Sequence, residues 1–99
     1  MNFNLATEVE IMQTLAKRLK QYRLQKNMTQ KELALASDVG SSTIQRFENG
    51  QSISLDFFIK IVMALGAVQE LAPLFKPKIS NIAELEQKTK IQQRQRVRR

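Results

Sequence analysis

Residues 29–50, TQKELALASDVGSSTIQRFENG, constrain this chain more than any other stretch. Two short amphipathic segments flank a tight turn at Ser37, Asp38, Val39 and Gly40, and the second closes at Glu48, Asn49 and Gly50. Thr29 and Glu32 have the spacing of a capping box, in which hydroxyl and carboxylate satisfy each other's backbone N–H groups, so a helix begins after Thr29. Its inward candidates are Leu33, Ala34 and Ala36. The next helix runs from about Ser41 to Glu48, with Ile44 and Phe47 inward and Val39 plugging the turn. Ser41, Ser42, Gln45 and Arg46 are left on the outside.

The flanking sequence supplies more helices. Ile11, Leu15, Leu19 and Tyr22 recur at helical spacing and predict a buried stripe on a helix from about Thr7 to Lys26. Thr7 suits its N-cap, Glu8 and Glu10 its positive first turn, and Lys26 with Asn27 its negative end. Ser54 and Asp56 open a fourth helix with Leu55, Phe58, Ile59, Val62 and Leu65 inward, stopped by Gly66. A short fifth helix is expected over about Val68 to Leu74, interrupted by Pro73 and closed before Pro77. Residues 1–75 therefore form one domain, and residues 76–99 an extension. Within that extension residues 80–87 suit two turns of helix. Residues 88–99 hold six basic residues and no acid, and alone bury too little to order themselves. Their alternation around Ile91 and Val97 also suits an extended strand paired with a partner.

Composition narrows the function. With 99 residues, 42% of them hydrophobic, the chain suits a single helical domain with one modest core. It has no cysteine and no histidine, which removes disulfides, thiolate metal sites, the commonest metal ligand and the usual general base. No nucleophile–base pair can be assembled, so an enzyme is the least favoured class, and neither cofactor nor metal is expected. The longest apolar run, residues 61–68, is too short to cross a membrane. Residues 1–15 carry two Glu and no Lys or Arg, unlike a secretory signal, so a cytoplasmic protein is expected. The net charge of +7 is divided unequally: residues 1–75 carry +1 and residues 76–99 carry +6. A basic chain invites a nucleic-acid reading, yet here the globular part is nearly neutral.

The ordered set Arg23, Thr29, Gln30, Glu32, Leu33, Ala34, Val39, Thr43, Ile44, Phe47, Glu48, Asn49, Gly50, Leu55, Ala64, Leu65 and Gly66 is informative as a whole. Through it, residues 15–66 resemble the helix-turn-helix domain of phage-repressor/Cro and XRE-type regulators. The resemblance implies an all-α, five-helix, lambda-repressor-like fold whose second motif helix lies in the DNA major groove. It implies that Ser41, Ser42, Gln45 and Arg46 face base edges, and that Gln30, Thr43 and Asn49 meet the phosphate backbone. Gln30 would also brace the recognition helix, and Arg23 with Glu48 would form a structural ion pair. Chemistry favours Arg46 as the base reader, because its planar fork can bond guanine O6 and N7 together. The two serines specify bases poorly and suit docking of a helix N-terminus on phosphate. Two positions depart from the family pattern. Asp38 stands where glycine is frequent and must turn left-handed at some cost. Gly40 stands where Ser or Thr is the usual cap, leaving Ser41 between capping the helix and contacting a base.

One such domain reads few bases, so a homodimer on a palindromic operator is expected, its recognition helices about 34 Å apart. Leu71, Leu74, Phe75, Ile79, Ile82 and Leu85 are the candidate dimer residues. A repressor is the favoured regulator. The basic end is similar to that of HipB-type antitoxins, which implies an autoregulated toxin–antitoxin operon and a kinase-like toxin partner. The same tail suits a phosphate-wrapping or minor-groove arm, or a merely solvating terminus. An interaction adaptor that keeps the fold without reading DNA is the competing class.

Overall fold

The computed structural model describes residues 2–78 of the chain, and among them every regular element is helical. The elements are α1 (Glu8–Gln25), α2 (Gln30–Ser37), α3 (Ser41–Glu48) and α4 (Leu55–Ala64), with 3-10 turns at Phe3–Leu5 and Val68–Glu70. Helix α2 packs on α3 and α4, and α1 packs on α3. No helix among these residues is long and apolar enough to cross a membrane. The helix, strand and partner readings of residues 79–99, including Ile79, Ile82 and Leu85, lie outside the described residues.

Three helices start on side-chain caps. Thr7 Oγ1 accepts from the Glu10 N–H at 3.1 Å while Glu10 Oε1 accepts from the Thr7 N–H at 3.0 Å. The Thr7 N–H and the Thr7 hydroxyl, both donating to Glu10 Oε1, hold that carboxyl below its ordinary value. Thr29 and Glu32 repeat the box at 3.0 and 2.9 Å, and Ser54 caps α4 through the Phe57 N–H. Each such cap is worth about 1 kcal/mol.

The helices also share one way of stopping. Asn27, Asp38, Gly50 and Gly66 all have positive φ, between 55° and 83°. The residue after each sends its N–H back into the last turn: Met28 to Arg23 O, Val39 to Ala34 O, Gln51 to Arg46 O and Ala67 to Val62 O, at 3.0–3.2 Å. These are Schellman closures, and Val39 and Ala67 bury their side chains just past the bend. At Gly50 the requirement is double, since a Cβ would also meet Gln13 Cγ at 2.7 Å.

The core is Ala16, Leu33, Val39, Ile44, Phe47, Ile61 and Leu65. Phe47 meets Phe58 edge-to-face, with ring centres 6.0 Å apart. Several inward assignments from periodicity need correction. On α1 the expected stripe is only half-buried, and the fully buried residues are Ala16 and Arg23. On α2 Ala36 is exposed, and Ser37 is buried in its place, its hydroxyl donating to Leu33 O at 2.7 Å. On α4 Leu55 and Ile59 lie outside, whereas Ile61 has no exposed surface. The buried side of α4 is rotated relative to the expected one because almost every residue of that helix is apolar.

The fifth helix is also corrected: the described body has four α-helices. Only Val68–Glu70 is helical, as a single 3-10 turn followed by further turns. Glu70, Leu71 and Ala72 bond back to Ala67, Val68 and Gln69, each three residues earlier. Pro73 has no N–H to continue the ladder and disfavours a helical Ala72. Phe75 then turns left-handed at φ 59°. This segment is tied to α1 by the Tyr22 hydroxyl, which donates to the Glu70 carboxylate and is pushed up in pKa by that bond.

Asp38, at φ 56° and ψ 41°, carries the left-handed cost that the sequence anticipates. Asp38→Gly is expected to stabilise the fold by roughly 0.5–1 kcal/mol, since glycine enters this region without a Cβ penalty. Urea unfolding would measure it, and an unchanged or lowered midpoint would show that Asp38 is held by something other than backbone need.

Candidate nucleic-acid interface

Helix α3 is short, and its orientation is set from both ends. At its start, Gly40 occupies the N-cap position with φ −59° and ψ 144°, and no side chain caps the helix. Gly40 O accepts from the Thr43 and Ile44 N–H groups at 3.0 and 3.1 Å. Ser41 therefore stands as the first helical residue, exposed, and is not used as the cap. The turn beneath it is fixed by the left-handed Asp38 and by Val39, which is only 4% exposed.

At the other end, Glu48 is gripped by two helices. Arg23 Nε and Nη2, from α1, donate to Glu48 Oε2 and Oε1 at 2.6 and 2.9 Å. The pair is nearly closed to solvent, with side-chain exposures of 8% and 4%. Arg23 Nη1 goes to Met28 O at 2.7 Å, so the same guanidinium also pins the α1–α2 connection. Gln30, the first residue of α2, donates from Nε2 to Glu48 Oε1 at 2.9 Å. Burial pushes the Glu48 carboxyl up, but the bonds from Arg23 and Gln30 outweigh it and hold it below its ordinary 4.5.

Between these anchors, Ile44 and Phe47 face the core, and Ser41, Ser42, Gln45 and Arg46 are all exposed. Their spacing puts them on one continuous flank. Gln30 is half-buried and spends one amide N–H on Glu48; the second N–H of that amide is a further donor. Asn49 is exposed, but its backbone N–H bonds to Gln45 O and Arg46 O, so only its side chain is available to a ligand. Thr43, expected at the phosphate backbone, is the least exposed of the residues expected to meet DNA. It is 8% exposed, and its Oγ1 accepts from Arg46 Nη2 at 3.2 Å. That bond and the buried Ser37 hydroxyl were not anticipated, although the three-residue Thr–Arg spacing was visible. Among the described residues no group of three or more His, Cys, Asp or Glu is placed to hold a metal ion.

A buried two-helix frame, a tight turn and an outward polar helix face thus occur together in this chain. Residues 19–71, more than half of it, match the family model described as Helix-turn-helix, which is of the XRE and phage-repressor type. The chain belongs to that helix-turn-helix family. The match spans the last two turns of α1, all of α2, α3 and α4, and the 3-10 turn after them. It makes the chain a DNA-binding regulator of XRE type.

The Arg23–Glu48 pair carries a pH prediction. Because the folded-state value of Glu48 is lowered, its stabilising effect is complete above the ordinary 4.5 and is lost as pH falls through the folded value. Urea unfolding followed downward through the carboxylate range should show that loss, and Glu48→Gln should show less of it. Glu48→Ala leaves the Arg23 charge buried without its partner and is expected to cost about 3–5 kcal/mol at neutral pH. A cost near that of an exposed pair, about 0–1 kcal/mol, would show that the pair holds nothing in place.

Proposed function

We propose that this chain is a sequence-specific double-stranded DNA-binding repressor that acts as a homodimer on a palindromic operator. The observation that carries this is the exposed flank of α3, where Ser41, Ser42, Gln45 and Arg46 lie together on a helix fixed at both ends. Arg46 reads a guanine through its fork. Gln45 lies beside it on the same flank as the weaker reader. Ser41 and Ser42 bring the first turn of α3 against the backbone, where the unpaired N–H groups and the helix dipole favour phosphate. Gln30, through its second amide N–H, and the Asn49 side chain add phosphate contacts that fix register without reading sequence.

Dimerisation supplies a second half-site about one helical turn away. Two of the candidate dimer residues, Leu74 at 51% and Phe75 at 97% exposure, are apolar side chains left in water, which supports a surface that pairs there. Repression follows as occlusion of a promoter.

The test is a titration of the protein against its own upstream DNA and against random duplex at several salt concentrations. Preference for the upstream duplex is expected. Arg46→Ala should relax discrimination at one base pair by about 1–3 kcal/mol while leaving the fold intact. Removal of residues 88–99 should weaken binding to all duplexes and flatten the salt dependence. Equal affinity for both duplexes, with Arg46→Ala silent in the cell, would instead support an interaction adaptor.

A further inference from the structure

We infer that Thr43 is a positioning residue for sequence reading: its nearly buried hydroxyl holds the Arg46 guanidinium in the orientation that meets a base. The inference rests on the proposal that Arg46 reads DNA. The two residues lie three apart on α3 and so share a flank. Thr43 is 8% exposed, next in sequence to the fully buried Ile44. Its β-branched side chain has few χ1 rotamers in a helix, which restricts Oγ1 to a small choice of directions. Arg46 is exposed, and a long side chain in water samples many rotamers that point its fork away from any given base. The bond from Nη2 to Thr43 Oγ1 at 3.2 Å selects among them before DNA arrives.

The chemistry of the anchor matters as much as its position. An arginine tethered to a carboxylate, as Arg23 is, has its charge neutralised. Thr43 offers a neutral acceptor, so Arg46 is oriented while keeping its positive charge and its remaining N–H donors for the base. A hydroxyl meant for phosphate would be set outward, as those of Ser41 and Ser42 are. Thr43 therefore acts on DNA through Arg46.

The experiment compares wild type, Thr43→Val, Thr43→Ser and Arg46→Ala on a duplex selected by the wild-type protein from a random pool, and on variants of it changed at each base pair. Thr43→Val, nearly the same shape without the hydroxyl, should lower the preference by about threefold to tenfold at the base pair that Arg46→Ala also loses. Affinity for random duplex should not change, and Thr43→Ser should restore the preference. Relaxation of the Arg46 Nε–H group in the DNA-free protein should show a more mobile side chain in Thr43→Val than in wild type or Thr43→Ser. An intact preference in Thr43→Val beside a lost one in Arg46→Ala would overturn the inference alone. So would an equal loss on every duplex, which marks a phosphate contact, or unchanged Arg46 mobility. A wild-type protein that enriches no duplex would overturn the DNA-reading proposal and this inference with it.

Discussion

The fold depends on one charge that should be expensive. Arg23 points inward from a helix whose other fully buried residue is Ala16, and an unpaired guanidinium there would be strongly destabilising. It is tolerated because Glu48 takes two of its donors and Met28 O takes a third. An apolar replacement could fill the same space, but it would not fix the end of α3 in direction. The planar fork admits the carboxylate in one orientation, and Gln30 holds that carboxylate from α2. Three segments, α1, α2 and the α1–α2 connection, are thereby locked around one side chain of the recognition helix.

This arrangement explains how an eight-residue helix can present a defined face. Alone, a helix of that length is marginal in water. Here its axis is set at the C-terminal end by Glu48, beneath by Ile44 and Phe47, and at the N-terminal end by the Asp38–Val39 bend. The repeated left-handed endings serve the same purpose. Each ends its helix within a residue or two and turns the chain toward the next element.

What the sequence made legible were the features written in local chemistry. The Thr29–Glu32 capping box, the Thr7 cap, the bounds of α3 and the left-handed Asp38 depend on neighbours within four residues, and each was readable; that Glu10 completes a second box with Thr7 was not read. Burial was less so. On α4, LDFFIKIVMA is apolar nearly all round, so two opposite faces satisfied helical spacing and only packing against α2 chose Ile61 over Ile59. On α1, the stripe Ile11, Leu15, Leu19 and Tyr22 is half-buried, and the residues that close against the body are Ala16 and Arg23. At the site, exposure of Ser41, Ser42, Gln45 and Arg46 was legible from periodicity. The division of labour between Thr43 and Arg46 was not, since it depends on which rotamer a surface arginine adopts. The expected fifth helix is replaced by 3-10 turns because Pro73 restricts Ala72 before it, an effect that reaches further back than the proline itself.

Geometry and charge are separated along this chain, and the separation has a physical consequence. Non-specific affinity for DNA scales with the number of phosphates neutralised, whereas specificity depends on a few oriented donors. Residues 1–75 carry a net charge of only +1, and Arg46 is the one basic side chain of α3. On the proposed reading, a guanidinium oriented by Thr43 contributes mainly to discrimination, because a single cation on the helix releases few counterions. Most of the positive charge, +6, belongs to residues 76–99. On the same reading, removing charge from that segment would change affinity for every duplex alike and leave the base pair selected by Arg46 unaltered. The proposed division is therefore between a helix-turn-helix that selects the site and a charged remainder that sets the salt range in which the site is held.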